Sequence, residues 1–307
     1  MAGVTYIVTL YNKARYIAGV LAAIAGQAGD FARQLIVVDD GSTDGSADIA
    51  ADALASWPGA RLICQANRGP SVAVNRGLAE AAQPFTYIVD GDDILAPYAT
   101  RLLLGAAVKS GCGLVYGRSR WYETHADIAF PDAPEDVAVG ILADTLYAVI
   151  RGGLAGGSTS LVATEPFQRV GGCDERVFIQ DQGIPQRMAQ VAKIGRIEHL
   201  VCMGPADDPE RLMKRPAQLL HDQSLTALCT LRDHPDLPPR IRRLIQKQLT
   251  GRAWRWAARH DDASIFSRDF LRFLAARLPG IRLGERTLEA TLAAFRRNTN
   301  IRLMPPR

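Results

Sequence analysis

Residues 85–97 read FTYIVDGDDILAP, and this stretch decides the fold. Tyr87, Ile88 and Val89 are aromatic or β-branched and uncharged, the character of a strand buried on both faces. The run stops at Asp90-Gly91-Asp92-Asp93. Three carboxylates in four positions repel one another unless a cation sits among them, and a hard divalent ion bridging a diphosphate is one such cation. Gly91 lets backbone or ligand come close. The alternative is a polar turn in which Asp92 or Asp93 caps the next helix.

Working upstream, the same pattern repeats. Residues 4–10 predict a first strand, and 14–27 predict a helix with apolar positions at Tyr16, Ile17, Val20, Leu21 and Ile24. Residues 34–40 predict a second buried strand ending in Asp39-Asp40, followed by the loop GSTDGS, where Asp44 or Ser46 caps a helix reaching about residue 57. A third strand over 60–65 and a helix over 71–82 follow. This alternation predicts right-handed crossovers and a parallel sheet. Ligands of such sheets lie beyond the carboxyl ends of the strands. Thr9 and Tyr11, Asp39 and Asp40, and Asp90 to Asp93 all fall there, so one shared crevice is expected.

Downstream the spacing predicts a helix over 98–110, a strand over 113–118, an irregular stretch over 119–134 and a helix over 136–149. The glycines of residues 151–157 lack the spacing of a phosphate loop. A short apolar element over 158–162, a helical turn over 164–170, a helix over 184–192, a strand over 194–203 and a loop over 205–209 come next. From residue 211 onwards the reading is helical, broken near 235–239 and 279–280. The expected architecture is α/β, a Rossmann-like sheet with helices on both faces over 1–205, then a mainly helical, basic extension over 206–307.

Composition narrows the function. The hydrophobic content of 48% and charged content of 22% describe a soluble globular protein. The five cysteines form no CxxC pair, which argues against a zinc site or a disulfide framework and suits a reducing cytoplasm. The first residues show no basic n-region and no run of about 18 apolar residues exists, so neither a signal peptide nor a membrane span is expected. Residues 231–307 carry 17 Lys and Arg against 7 Asp and Glu, while the remainder carries 19 against 25. The basic end reads either as a solvated helix surface or as a patch for anionic lipid head groups, phosphates or an acidic partner. Trp254, Trp256, Phe266, Phe270 and Phe273 among its arginines suit an interfacial helix on the inner face of a membrane, and equally a helix packed back on the sheet. No helix-turn-helix or zinc spacing supports a nucleic-acid partner.

Five segments in this order and spacing, VTLYNKARYI, IVVDDGSTDGS, NRGPSVAVNRGLAEA, YIVDGDD and VGGCDERVFIQDQGIPQRMA, resemble the family 2 glycosyltransferases, which use the GT-A fold. The resemblance covers roughly residues 4–203. Val74 stands where that family usually has Arg, Gln180-Asp181 where Glu-Asp is common, and Cys173 where Phe is usual. The family's QxxRW motif is absent, which speaks for adding one or a few sugars rather than extruding a polymer.

The resemblance implies transfer of a sugar from a nucleotide-diphospho-sugar to a hydroxyl of a glycan, lipid-linked or protein acceptor, in bacterial surface glycan or glycoconjugate assembly. It implies Mn²⁺ or Mg²⁺ held by Asp92, with Asp90 as metal or ribose contact, and Asp181 as the base of an inverting reaction. Asp181 as a cap of the following helix is the competing reading. Asp39 would meet the nucleobase edge, Asp40 would equally take that role or else stabilise the Gly41-Ser42 turn, Tyr11 would stack on the base or simply pack, Thr9 would contact it, and Arg68 or Arg76 would reach a phosphate. His221, in HDQS, resembles a downstream metal ligand. The competing functions are a non-catalytic nucleotide-sugar-binding relative and a sugar-1-phosphate nucleotidyltransferase. The latter carries a glycine-rich N-terminal phosphate loop, which VTLYNKARYI is not.

Overall fold

The computed structural model describes residues 2–153, 157–206, 215–297 and 299–304. The first half is built as four strands with helices between them: β1 Gly3–Leu10, α1 Ile17–Ala25, β2 Ala32–Asp39, α2 Ser46–Leu54, β3 Arg61–Cys64, α3 Pro70–Leu78 and β4 Phe85–Asp90. β3, β2, β1 and β4 pair in that order, all parallel. Alternation along β1 divides the core, because successive side chains leave a strand on opposite faces. Val4, Tyr6 and Val8 join Ile17, Val20 and Ile24 of α1, whereas Ile7 joins Val74 and Leu78 of α3. Helices therefore cover both faces.

The second half adds strands that do not continue this parallel order. It comprises β5 Ile94–Leu95, α4 Ala99–Ser110, β6 Leu114–Tyr122, β7 Gly140–Ile141, α5 Thr145–Gly152, β8 Ser160–Ala163, α6 Thr164–Arg169, α7 Ile184–Met188 and β9 Ile194–Pro205. β8 inserts between β4 and β6 and runs antiparallel to both, β6 pairs parallel with β9, and β5 and β7 pair antiparallel with β9. The sheet is mixed. The helix expected over 136–149 is corrected. Gly140 and Ile141 pair with Arg196 and Gly195 of β9, and the helix begins only at Thr145, after Asp144 takes a left-handed φ of 48°. The strand pairing extends a ladder already formed, and Gly140 within the segment disfavours a helix. The strand expected to end at residue 118 instead runs to Tyr122, and residues 154–156 and 207–209 of the expected loops lie outside the described residues.

A buried hydrogen-bond chain fastens the two halves. Thr100 donates to Gln27 Oε1 from Oγ1 at 2.8 Å and from N at 3.0 Å, while Gln27 Nε2 donates to the Ala96 carbonyl at 2.8 Å. The Tyr6 hydroxyl is 2.8 Å from Thr100 Oγ1. Since that Oγ1 already gives its proton to Gln27, Tyr6 donates. Burial pushes the Tyr6 phenol up to about 12, so it keeps this proton across the physiological range.

The C-terminal helices are α8 Pro216–Asp233, α9 Pro239–His260, α10 Arg268–Ala275, α11 Glu285–Glu289 and α12 Ala293–Arg296. They have their own apolar core, in which Leu228, Ile241, Ile245, Leu249, Leu288 and Leu292 gather around Ile150 of α5. Its neighbour Val149 belongs to the core beneath the sheet, so α5 is shared between the two cores. Among the described residues no helix is long and apolar enough to cross a membrane.

Candidate active site

At the carboxyl ends of β1 and β4 lies a cleft of about 430 Å³. Thr9, Tyr11, Lys13, Asp40, Asp90, Asp92, Phe178, Gln180, Asp181, Arg215 and Arg302 all reach it. β4 ends in a tight turn, where Asp93 N donates to the Asp90 carbonyl at 3.1 Å and Gly91 N donates to the Thr9 carbonyl at 3.0 Å. A Cβ on Gly91 would stand 2.9 Å from that same carbonyl, so only glycine lets the turn close against β1.

The turn aims two carboxylates into the cleft. Asp90 Oδ1 accepts from Gln180 Nε2 at 2.9 Å and lies 3.5 Å from Thr9 Oγ1. Asp92 is buried, and its Oδ2 is 2.9 Å from Lys13 Nζ. Lys13 is set in place by the GSTDGS loop. Ser42 Oγ accepts from Asn12 N at 3.0 Å, Ser46 Oγ from Lys13 N at 2.7 Å, and Asp44 Oδ2 from Ala14 N at 2.9 Å. The polar residues of that loop thus hold the β1–α1 connection that carries Tyr11 and Lys13.

Asp181 arrives from a loop fastened to α3 and α8. Ser71 Oγ donates to the Val177 carbonyl at 2.7 Å. One turn further along α3, Asn75 Nδ2 donates to the Cys173 carbonyl at 3.0 Å and its Oδ1 accepts from Cys173 N at 2.8 Å. The i, i+4 spacing puts both on one face of the helix. Val74, between them in sequence, is fully buried in the apolar core and contributes nothing to the cleft. Asp181 lies in a single turn of 3₁₀-helix just before α7.

Both sequence readings of Asp39 and Asp40 shift. Asp40 shapes the start of α3: its Oδ1 accepts from Arg68 N and Gln65 Nε2, each at 2.8 Å, and its Oδ2 accepts from Gly69 N at 2.7 Å. Asp39, not Asp40, braces the following turn, accepting from Ser42 N at 3.1 Å through Oδ2. Asp39 Oδ1 is buried with no hydrogen-bond partner among the described residues.

Residues 5–133 match the family model described as Glycosyl transferase family 2. Over this stretch, which is less than half of the chain, the protein is similar to that family. A glycosyltransferase of Escherichia coli K12, YibD, is 32% identical over 105 residues, which is 34% of this chain and 30% of that one. The teichoic acid poly(glycerol phosphate) polymerase of Staphylococcus epidermidis is 39% identical over 107 residues, 34% of this chain and 15% of that one. The matched stretch thus spans about a third or less of these curated relatives. Solved structures share the GT-A fold over nearly the whole chain. TarS 1–349 of S. aureus in complex with UDP-GlcNAc superposes with a TM-score of 0.66 at 16% identity, covering 96% of this chain and 89% of that one. A mannosyltransferase of Pyrobaculum calidifontis in complex with GDP-Man and Mn²⁺ gives 0.59 at 19% identity, covering 95% and 85%.

Of the residues singled out from the family 2 pattern, Thr9, Tyr11, Asp40, Asp90, Asp92 and Asp181 meet in the cleft. Neither Asp39 nor Arg68 is among the residues lining it. His221 is not at the cleft either. It is fully buried, with Nδ1 2.8 Å from Asp222 Oδ1 and Nε2 facing Arg296 Nη2 at 3.1 Å. Arginine can only donate, so Nε2 carries the lone pair and Nδ1 the proton. Neither nitrogen is left for a metal.

The family 2 pattern gave no notice of Arg302. Its guanidinium bonds to Asn67 Oδ1 and lies 4.5 Å from the centre of the Phe178 ring. Its backbone is seated by Gln218, which accepts from Arg302 N at 2.8 Å and donates to its carbonyl at 3.1 Å. No local motif marks such a residue, because its partners are 84 and 235 positions away.

Among the described residues no group of three or more His, Cys, Asp or Glu could hold a metal. Two carboxylates, Asp90 and Asp92, still fit Mg²⁺ or Mn²⁺, which bind phosphate substrates through one or two carboxylates and complete their shell with phosphate oxygens and water.

Proposed function

We propose that the chain is an inverting, divalent-metal-dependent, non-processive glycosyltransferase that moves a sugar from a nucleotide-diphospho-sugar to an acceptor hydroxyl in bacterial surface glycan assembly. The observation that carries this reading is the meeting of Asp90, Asp92 and Asp181 in one cleft from segments about 90 residues apart.

The acceptor oxygen attacks the anomeric carbon, the bond from that carbon to the diphosphate oxygen breaks with its electron pair going to the nucleotide, and the hydroxyl proton passes to the Asp181 carboxylate. Attack opposite the leaving group, assisted by one base, inverts the anomeric centre. Asp92 and Asp90 would hold a divalent metal, which would supply charge neutralisation for the diphosphate. Lys13 and Arg302 add cations on the cleft wall, and Tyr11, exposed by 41%, offers a ring face for a nucleobase.

The test is a panel of UDP-, GDP- and dTDP-sugars with Mn²⁺, read by nucleotide release and by the anomeric configuration of the product. Asp181→Asn should lower turnover by about 10²–10⁴ while nucleotide binding persists. Wild-type turnover in that variant removes Asp181 as the base, and nucleotide binding without turnover of any donor points to the non-catalytic reading.

A further inference from the structure

Among the described residues, six exposed large apolar side chains crowd into residues 265–281: Ile265, Phe266, Leu271, Leu274, Leu278 and Ile281. Phe266 is 84% exposed. Leu271, Leu274 and Leu278 follow at i, i+3 and i+7, a single stripe along α10 and the turn after it. The other face of α10 is already used. Phe270 and Phe273 pack on Trp254 of α9 with ring centroids 4.9 and 6.4 Å apart, and buried Asp269 pairs with Arg272 and Arg297. So Trp254, Phe270 and Phe273 hold α10 to the protein, and a different set of apolar groups faces out.

Beside this stripe is a cluster of arginines. An ideal Cβ on Gly251 would stand 3.2 Å from Arg277 Nη2 and 3.3 Å from Arg255 Nη1, so two guanidiniums approach one point on α9. Arg277 is fixed there, 3.6 Å from the centre of the Phe273 ring and donating to the Phe273 carbonyl at 2.8 Å. Burial first, and then the charge of Arg255, push both Arg252 and Arg277 down, Arg252 to about 10. None of the three forms an ion pair with a carboxylate among the described residues. Cations grouped this closely, with Arg252 and Arg277 partly buried and Arg255 exposed, call for an anion from outside.

We propose that this surface docks on an anionic lipid bilayer. The stripe from Ile265 to Ile281 enters the boundary between head groups and acyl chains, and Arg252, Arg255 and Arg277 meet lipid phosphates. Charge chooses this occupant. A second copy of the chain would bring the same arginines face to face, and a free phosphate would leave the apolar stripe without a role. The excess of 17 basic over 7 acidic residues in 231–307 acts in the same direction. The inference stands apart from the transferase reading, because it can be measured with no donor present.

The experiment is co-sedimentation of the full chain with phosphatidylcholine vesicles and with vesicles containing phosphatidylglycerol, at low and physiological salt. Wild type should bind only the anionic vesicles, and more weakly as salt rises. The double variant Phe266→Ser/Leu271→Ser should lose binding by tenfold or more, about what two partly buried side chains contribute. Arg255→Gln/Arg277→Gln should lose it by about fivefold per charge. Both pairs should keep wild-type thermal melts and nucleotide binding, which separates loss of docking from loss of fold. No binding of wild type to anionic vesicles at low salt overturns the proposal, as does binding that neither pair weakens. A concentration-dependent dimer abolished by Phe266→Ser overturns it in favour of a second copy. Phosphate that competes at millimolar concentration while the apolar pair still binds vesicles normally overturns it in favour of a soluble anion.

Discussion

Asp222, buried on α8, accepts the backbone N–H of Ile179 at 2.9 Å through Oδ2, two residues before Asp181. Its other oxygen accepts from Gln218 Nε2 at 3.1 Å and from His221 Nδ1 at 2.8 Å. The candidate base is therefore positioned by the C-terminal helices as well as by the sheet. Asp222→Ala leaves three buried donors without an acceptor and should cost about 2–4 kcal/mol of stability, measured by urea unfolding. Because the Asp181 loop loses its anchor, kcat should fall more than donor KM rises. Unchanged unfolding and kcat would show that the loop is held without it.

Lys13 sits 2.9 Å from Asp92, where it would compete with a metal for the carboxylate. Lys13→Met should tighten Mn²⁺ binding by about tenfold, the equivalent of about 1.4 kcal/mol, and should lower the melting temperature when the metal is chelated. Asp92→Asn should abolish stabilisation by Mn²⁺ together with nucleotide diphosphate. Isothermal titration with Mn²⁺ checks both, and an unaltered Mn²⁺ affinity in Lys13→Met would remove Lys13 as a competitor.

Arg302 closes the cleft from a segment held by Gln218. Arg302→Ala should weaken UDP or GDP binding by about tenfold, within the range of a hydrogen bond to a charged group. Gln218→Ala should reproduce part of that loss without touching the cleft. Equal nucleotide affinity in both variants and wild type would make the segment merely structural.

Burial pushes the Asp174 carboxyl up, but hydrogen bonds from the Arg176 side chain and backbone outweigh it and hold the group below its ordinary 3.8. A depressed acid contributes stability above its unfolded-state value and loses it as pH falls through the folded one. The melting-temperature gap between wild type and Asp174→Asn should therefore be constant from pH 7 to about 5 and shrink below about pH 4. A gap that persists to pH 2 would place the contribution in packing rather than charge.

Much of the first half of the fold was legible along the chain. Apolar runs ending in acid and glycine, separated by helices with one apolar stripe, are properties of neighbouring residues, and β1 to β4 form as expected. The DGDD turn was legible for the same reason: its glycine and its carboxylates act within four positions. The second half was not. The antiparallel strand Ser160–Ala163 is placed between β4 and β6 by pairing with Phe85, Thr86 and Tyr87, 74 to 78 positions upstream, and no pattern inside four residues announces such a partner.

The sequence by itself determined the βα order, the acidic strand end and the basic character of the C-terminal region, since each follows from side chains a few positions apart. Only the tertiary structure decided that His221 is spent on Asp222 and Arg296, that Arg302 reaches the cleft, and which apolar groups of α10 face outward. Each of these turns on which surfaces meet. A side chain's periodicity tells whether it is buried, but the identity of what lies against it depends on which separate chain segments pack together.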